Sequence, residues 1–289
     1  MSIIYRLKRK IIRTLFCEQW SILVCDLAGN ILKHITPPSD RFWADPFPVE
    51  YEGKTYIFLE QQIGSGNGTL GYIELYPDLS HSAFVPILEK DYHLSFPCIF
   101  YIEQDGQKTW YMIPESHENK TIDLYRAIDF PREWQFELTL MSNINANDSV
   151  VFYHDAKWWL FTSVGKESNS VNKNLSVFYS YTFPSAEWIS HPQNPICSDL
   201  GNSRMAGSFF INSKTGFFNR PSQNCIRDYG KETNINEIIE LTDQSYRERK
   251  VKTILPEKDL FAICTHTINH SENYILRDIK TRRFRFFAS

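Results

Sequence analysis

The sequence predicts an all-β fold, a five-bladed β-propeller, with a short N-terminal amphipathic helix ahead of it. Three observations point to the propeller. A strand running into a proline recurs at Pro77, Pro131 and Pro184, a spacing of roughly 53 residues and close to the length of one blade. A strand–turn–strand unit precedes each of these copies. Aromatic residues make up 15% of the 289 residues, with 21 Phe and 15 Tyr, and such side chains fit a pleated, half-buried surface.

The elements follow in chain order. In residues 1–16, Ile4, Leu7, Ile11 and Leu15 recur at helical spacing, and Arg6, Lys8, Arg9, Lys10 and Arg13 occupy much of the remaining face. That pattern suits either peripheral contact with an anionic membrane or packing on the chain's own domain. Residues 17–289 are assigned to the propeller. The strand Trp20–Cys25 has no hairpin partner nearby; in a ring it completes the last blade and so removes open sheet edges. The first full unit, Asp45 to Glu60, turns at Glu52-Gly53 and leads to the strand ending at Pro77. The second, Phe96 to Glu115, turns at Asp105-Gly106 and leads to Phe130-Pro131 and Trp134. The third, Asp148 to Ser163, leads to Phe183-Pro184 and Trp188. Two fainter copies span Gly207–Arg220 and Cys264–Leu276. A β-sandwich could hold as many strands, but it gives no reason for the repeat.

Composition excludes several function classes. A net charge of -3 lacks the basic excess of a nucleic-acid binder. The six cysteines form no CxxC pair, so zinc and thiol-redox motifs are not suggested. The basic residues near the start break the first apolar stretch, so no secretory signal is read. The thiols are therefore expected reduced in a cytoplasmic protein, at most peripheral at the inner face of the cell membrane. No segment reaches the roughly 18 apolar residues needed to span a bilayer. His266 and His270 would not share a face of a strand as they would on a helix, and neither metal nor cofactor is expected.

In a propeller the start of each innermost strand faces one end of the central channel, so residues far apart in sequence converge on one pocket. Those positions hold Trp43 and Asp45, Ser95 and Pro97, Asn147 and Asp148, Arg204, and His266. Asp45 and Asp148 form a candidate carboxylate pair, joined by Glu115 and Glu60 at the ends of their strands. Paired carboxylates suit glycosyl chemistry, where one exchanges a proton with oxygen and another stabilises positive charge at the anomeric carbon. An aspartate before a strand also serves simply to cap a turn. The later units bring Arg204, Arg220, Gln223, Arg227, Tyr229 and His266, donors suited to a phosphate, unless the arginines pair with acids such as Asp228 or Glu232. Trp43 is placed either to stack on a sugar face or in the core.

Phe42-Trp-Ala-Asp-Pro-Phe47, followed by a Tyr-Glu-Gly-Lys turn, resembles the first blade of five-bladed propeller glycosidases of the arabinanase and β-xylosidase type. That resemblance implies a general base at Asp45. Their acid glutamate opens the third blade, where this chain has Asp148. A closer resemblance is to the N-terminal domain of glucosamine inositolphosphorylceramide transferases and its stand-alone bacterial relatives in surface-polysaccharide loci. It rests on Trp43-Ala-Asp-Pro-Phe47, Phe96-Pro97, Ile113-Pro-Glu115, Asn147-Asp148 with Trp158-Trp-Leu-Phe161, Arg204-Met-Ala-Gly207, Arg220-Pro-Ser-Gln223 with Tyr229-Gly230, and His266-Thr267. It implies a role in capsule or lipopolysaccharide assembly: a glycosyltransferase acting with a nucleotide-sugar or a lipid-phosphate-linked glycan. A glycoside hydrolase and a non-catalytic glycan-binding module are the alternatives.

Overall fold

A computed structural model describes residues 15–165, 172–226 and 228–284. Strands β1 (Phe16–Cys25) and β2 (Ile31–Ile35) form a hairpin. Blade 1 is β3 (Arg41–Tyr51), β4 (Lys54–Ile63), β5 (Gly68–Leu75) and β6 (Val85–Leu88). Blade 2 is β7 (Ser95–Gln104), β8 (Gln107–Glu115), β9 (Thr121–Asp129) and β10 (Glu133–Ser142). Blade 3 holds β11 (Ala146–His154), β12 (Lys157–Val164), β13 (Asn174–Ser180), β14 (Ile189–Ser190) and the short β15 (Cys197–Ser198). Blade 4 is β16 (Phe210–Ile211), β17 (Phe218–Asn224), β18 (Glu232–Leu241) and β19 (Tyr246–Ile254). Blade 5 begins with β20 (Ala262–Cys264), β21 (Ile268–His270) and β22 (Ile275–Phe284), and β1 then pairs antiparallel with β22 along all ten of its residues. The N-terminal hairpin thus supplies the two outer strands of the last blade, and the five-bladed ring is closed.

The helix assigned to residues 1–16 lies outside the described residues up to position 14; Phe16 already belongs to β1. The named helical elements are two 3-10 turns, His117–Asn119 and Lys258–Leu260. Among the described residues no helix is long and apolar enough to cross a membrane.

The Phe-Pro repeat has a packing cause. Phe130 stacks on Trp110 of its own blade at 4.3 Å and meets Tyr51, Tyr56 and Phe58 of blade 1. Phe183 lies 4.7 Å from Trp158 of its own blade and meets Phe100 and Tyr111 of blade 2. Each ring is a wedge between neighbouring sheets, anchored where the following Trp donates its indole N–H to a backbone carbonyl at 2.9 Å. Such aromatic contacts add roughly 0.5–1.5 kcal/mol each beyond the area they bury.

Blade 4 is held differently. Its second and third strands bury Asn219, Arg220, Ser222, Gln223, Asn234 and Asn236. The Asn236 amide donates to the Arg220 carbonyl and the Ser222 hydroxyl, and that of Asn234 donates to the Gly201 carbonyl at 2.7 Å. A blade knit by side-chain hydrogen bonds leaves little hydrophobic alternation, which is why its sequence copy is faint. Gly207, at φ 140°, lets the segment leading into β16 approach blade 5 so closely that a Cβ would overlap the Ile268 carbonyl. Asn269 completes the seam, accepting from the Ser208 N–H and donating to the Pro46 carbonyl.

Candidate functional site

The first three inner strands share a device. Each carries a bulge near its start, between Ala44 and Phe47, Ser95 and Cys98, and Asn147 and Val150. At each bulge one residue takes a left-handed conformation: Asp45 (φ 52°), Phe96 (φ 45°) and Asp148 (φ 53°). Aspartate tolerates that region better than most residues, whereas a bulky side chain such as Phe rarely enters it. A bulge redirects the side chains that follow from a strict alternation. Here it turns Asp45 and Asp148 into the channel.

Asp45 lines a pocket of about 390 Å³ to which all five blades contribute. Blade 1 brings Asp45 and Glu60, blade 2 Ser95, Glu115 and His117, blade 3 Asn147, blade 4 Arg204 and Tyr229, and blade 5 His266 and Trp20. Asp148 lies just behind this surface, bound to Arg204. At the other end of the channel a separate 220 Å³ cavity is bordered by Phe47, Phe100, Phe152 and Phe209.

The buried groups are tightly wired. Asp45 accepts from the Thr267 hydroxyl at 2.5 Å and the Phe96 N–H at 3.2 Å. Asp278 on β22, with no solvent exposure, accepts from the His266 and Thr267 N–H groups at 2.9 and 3.0 Å and from Asp45 N–H at 3.2 Å. Its other contact is His266 Nδ1 at 2.6 Å. The His266 ring stacks on Trp20 at 4.0 Å, and its Nε2 lies 3.7 Å from Asp45. Gly230, at φ 61°, leaves room for that ring, because a Cβ there would overlap His266.

Across the pocket, Arg204 donates to Asp148 through Nε at 2.6 Å and through a second nitrogen at 3.2 Å, and reaches Glu115 at 3.7 Å. Its guanidinium lies over the Tyr229 ring at 4.9 Å, and Tyr229 meets His266 edge-on. Glu115 accepts from the Ser95 hydroxyl at 2.9 Å and pairs with His117 Nδ1 at 2.5 Å. Glu60 faces His93 Nε2 at 3.2 Å, while Gly68 N–H donates to His93 Nδ1.

These environments split the carboxyl groups. Burial pushes Asp45 up to about 6, with Glu60 and Asp278 adding to it and His266 opposing. Burial likewise pushes Asp148 up to about 6 against the pull of Arg204. Burial acts on Glu115 too, but His117, Arg204 and Ser95 outweigh it and hold the group down at about 2. Glu60 is raised by burial. Burial disfavours a charged His266, yet Asp278 and Asp45 outweigh it and raise the group. Carboxyl groups held apart in this way can divide acid, base and charge-stabilising roles.

The structure therefore brings Asp45, Glu60, Glu115, Asp148, Arg204, Tyr229 and His266 together. Gln223 sits behind them, donating to Asp148 at 3.0 Å. Two residues named from the sequence do not reach the pocket. Trp43 is buried in the core beside Phe84, its indole N–H on Gln61, and Trp20 is the indole at the pocket. Arg220 is fully buried and forks onto Glu248 at 2.6 and 2.7 Å, so it offers nothing to a phosphate. Arg227 lies outside the described residues. Sequence reasoning missed Asp278, His93 and His117, and named Thr267 only within the His266-Thr267 resemblance. The sequence reading expects no metal, yet ligand atoms of Asp45, His266 and Asp278 lie within 4.8 Å of one another. Within that cluster Asp278 binds His266 directly, while the Asp45 carboxylate is held by Thr267 and the Phe96 N–H.

Comparisons with known proteins agree with this architecture. A family model described as glucosamine inositolphosphorylceramide transferase 1, N-terminal, matches residues 19–264. The rice protein glucosamine inositolphosphorylceramide transferase 1 (Oryza sativa subsp. japonica) is 33% identical over 241 residues, 80% of this chain and 31% of its own length. Its Arabidopsis thaliana counterpart is 31% identical over 73% of this chain and 27% of its own length. The chain thus spans about a third of these relatives. Among solved structures, a family 117 glycoside hydrolase from Zobellia galactanivorans superposes with a TM-score of 0.56 at 10% identity, covering 91% of this chain and 90% of that one. A GH43_1 enzyme from Xanthomonas citri, solved with xylose, gives 0.55 at 12% identity over 86% and 90%. These structural likenesses establish the fold alone.

Proposed function

Because the chain belongs to the glucosamine inositolphosphorylceramide transferase N-terminal family, we propose that it acts on a carbohydrate during glycan assembly, as a glycosyltransferase. The product class that the family resemblance favours is a bacterial surface polysaccharide. The proposed donor is a nucleotide-sugar or a lipid-phosphate-linked glycan, with the phosphate as leaving group. One observation carries the reading: five blades place acids, imidazoles and a single described guanidinium around one pocket of sugar size. An acid-rich wall accepts hydrogen bonds from hydroxyl groups and suits an amino sugar, the sugar in the plant relatives' names. Asp45, ionised at neutral pH, stabilises positive charge at the anomeric carbon as the leaving group departs, with Asp148 behind the wall as the counter-ion of Arg204. Arg204, held by Asp148, keeps that wall in register.

Incubation with a panel of nucleotide-sugars and glycan acceptors tests this. Donor-dependent nucleotide release that Asp45→Asn lowers by about 100-fold or more supports transfer. Release of free sugar from an oligosaccharide without donor points instead to hydrolysis. A second reading, glycan binding without chemistry, is favoured by the closure of the Asp148 carboxylate on Arg204 and Gln223. Saturable binding that survives Asp45→Asn, with no turnover, selects it.

A further inference from the structure

Besides Asp148, the sequence offers Glu115 as a partner for Asp45, but the surroundings of Glu115 leave it no proton to exchange. Both oxygens are engaged: Oε2 by the Ser95 hydroxyl, Oε1 by the Nδ1 and the backbone N–H of His117. Arg204 lies 3.7 Å away. His117 itself is different. It sits on the 3-10 turn that follows β8, lines the pocket, and its side chain is 38% exposed. Its Nδ1 is directed at Glu115, which leaves Nε2 without a hydrogen-bond partner among the described residues. The other two pocket imidazoles lack that freedom. His93 uses Nδ1 to accept from Gly68 and points Nε2 at Glu60. His266 is sandwiched against Trp20 and bound to Asp278.

We propose that His117 is the proton acceptor of the pocket and Glu115 its positioning residue. A carboxylate on Nδ1 fixes the imidazole tautomer that presents a basic Nε2, the same logic by which a buried acid orients a catalytic histidine. The step rests on the transferase reading. The acceptor hydroxyl oxygen bonds to the anomeric carbon while the bond from that carbon to the phosphate oxygen breaks. The phosphate leaves with the electron pair, the hydroxyl proton passes to His117 Nε2, and the imidazolium returns it to solvent. Asp45 then faces the positive charge rather than the proton.

The groups acting on the His117 charge are Glu115 and Glu118 on its own segment and Arg204 from blade 4. Glu115 raises the imidazole and Arg204 lowers it. As a base, His117 must be neutral, so turnover rises with pH through its raised value. Glu115→Gln should move that rising limb to lower pH as well as slow the reaction.

The test measures donor turnover by wild type, Asp45→Asn, His117→Gln and Glu115→Gln across pH 5–9, with thermal melts of each. His117→Gln is expected to lower kcat by about 100- to 10,000-fold with KM little changed, and to flatten the rising limb. An NMR titration of the His117 ring gives a readout besides activity, with a midpoint that falls in Glu115→Gln. Wild-type kcat in a folded His117→Gln that coexists with loss in Asp45→Asn overturns this proposal and leaves the transferase reading standing. Absence of turnover in wild type with every donor overturns both. A His117 midpoint indifferent to Glu115→Gln overturns the positioning role.

Discussion

Asp278→Asn is the sharpest test of how the pocket is held together. The Asp278 carboxylate is fully buried and accepts from three backbone N–H groups and from His266 Nδ1. One of those N–H groups belongs to Asp45, so the carboxylate also joins blade 5 to blade 1. An asparagine keeps one acceptor oxygen but turns an NH2 towards donors, and it strips His266 of its counter-ion. Breaking a buried charge pair by removing one partner costs about 3–5 kcal/mol. At roughly 2 °C per kcal/mol for a chain of this size, Tm should fall by about 6–10 °C. The pH dependence fixes the cause. Burial opposes ionisation of Asp278, but His266 and the N–H donors outweigh it and lower the group. Its contribution is therefore full above its unfolded value and lost as pH falls through the folded one. His266 is raised, so its contribution is full below its unfolded value, near 6.5, and lost as pH rises through the folded one. Calorimetry from pH 3 to 9 should show the gap between wild type and variant widest between about pH 4 and 6.5, closing on both sides. An equal gap at every pH, or none, would refute the assignment of an ion pair at this position.

Other outcomes follow from the packing and from Asp45. Phe130→Ala and Phe183→Ala should each cost about 2–4 kcal/mol in urea unfolding, towards the lower part of the usual range because both rings are partly exposed. Phe217→Ala, on the surface, should change stability by no more than about 0.5 kcal/mol. Arg220→Met should cost about 3–5 kcal/mol by leaving Glu248 unpaired, while the folded fraction retains wild-type glycan affinity; a selective loss of affinity would return Arg220 to the site. Asp45→Asn should raise Tm at pH 8 relative to wild type. Burial lifts Asp45 from 3.8 to about 6, so wild type loses up to about 3 kcal/mol as pH climbs through that interval, and a variant whose Tm relative to wild type is no higher at pH 8 than at pH 4 contradicts this.

Much of the ring was legible because its most regular contacts are aromatic. The Phe-Pro copies at Phe130 and Phe183 occupy equivalent wedges between blades, so packing imposes the spacing that the sequence displays. The tight turns were legible for a backbone reason: Glu52 with Gly53, and Asp105 with Gly106, take positive φ together, as a two-residue hairpin turn of this type requires. The site was read less completely. Arg220 and Gln223 lie three residues apart on β17, and an odd separation sends side chains to opposite faces of a strand. Both therefore could not face the pocket, and Gln223 is the one directed to Asp148. Trp43 and Asp45, two apart, would share a face in a regular strand, but the bulge between Ala44 and Phe47 breaks the alternation and parts them. Asp278 lies mid-strand between Arg277 and Ile279, and its partners come from the preceding strand connection, His266 and Thr267, and from Asp45 more than 200 positions away. β22 is already rich in charge, with Arg277, Lys280, Arg282 and Arg283, so one more charged residue gave no local sign.

The bulges themselves show which came first, the backbone or the chemistry. Left-handed residues cost of order 1–3 kcal/mol each, and an aspartate at Asp45 or Asp148 could be taken as the reason to tolerate that cost. Phe96 occupies the equivalent place in blade 2, however, with no polar side chain to gain from it. The conformation therefore belongs to how an inner strand enters the ring. Its use is visible in the backbone: the Asp45 N–H donates to Asp278 of blade 5, and the Phe96 N–H donates to Asp45 of blade 1. The bulges of blades 1 and 2 each serve the acid of the preceding blade, and the relay ends at Phe96 because a phenyl ring offers the third bulge no acceptor. The acids of the pocket are thus placed by neighbouring backbone as much as by their own strands. Exchanging Asp45 for Asn should accordingly change charge and leave the bulge in place, which is what makes that variant a clean probe of the chemistry.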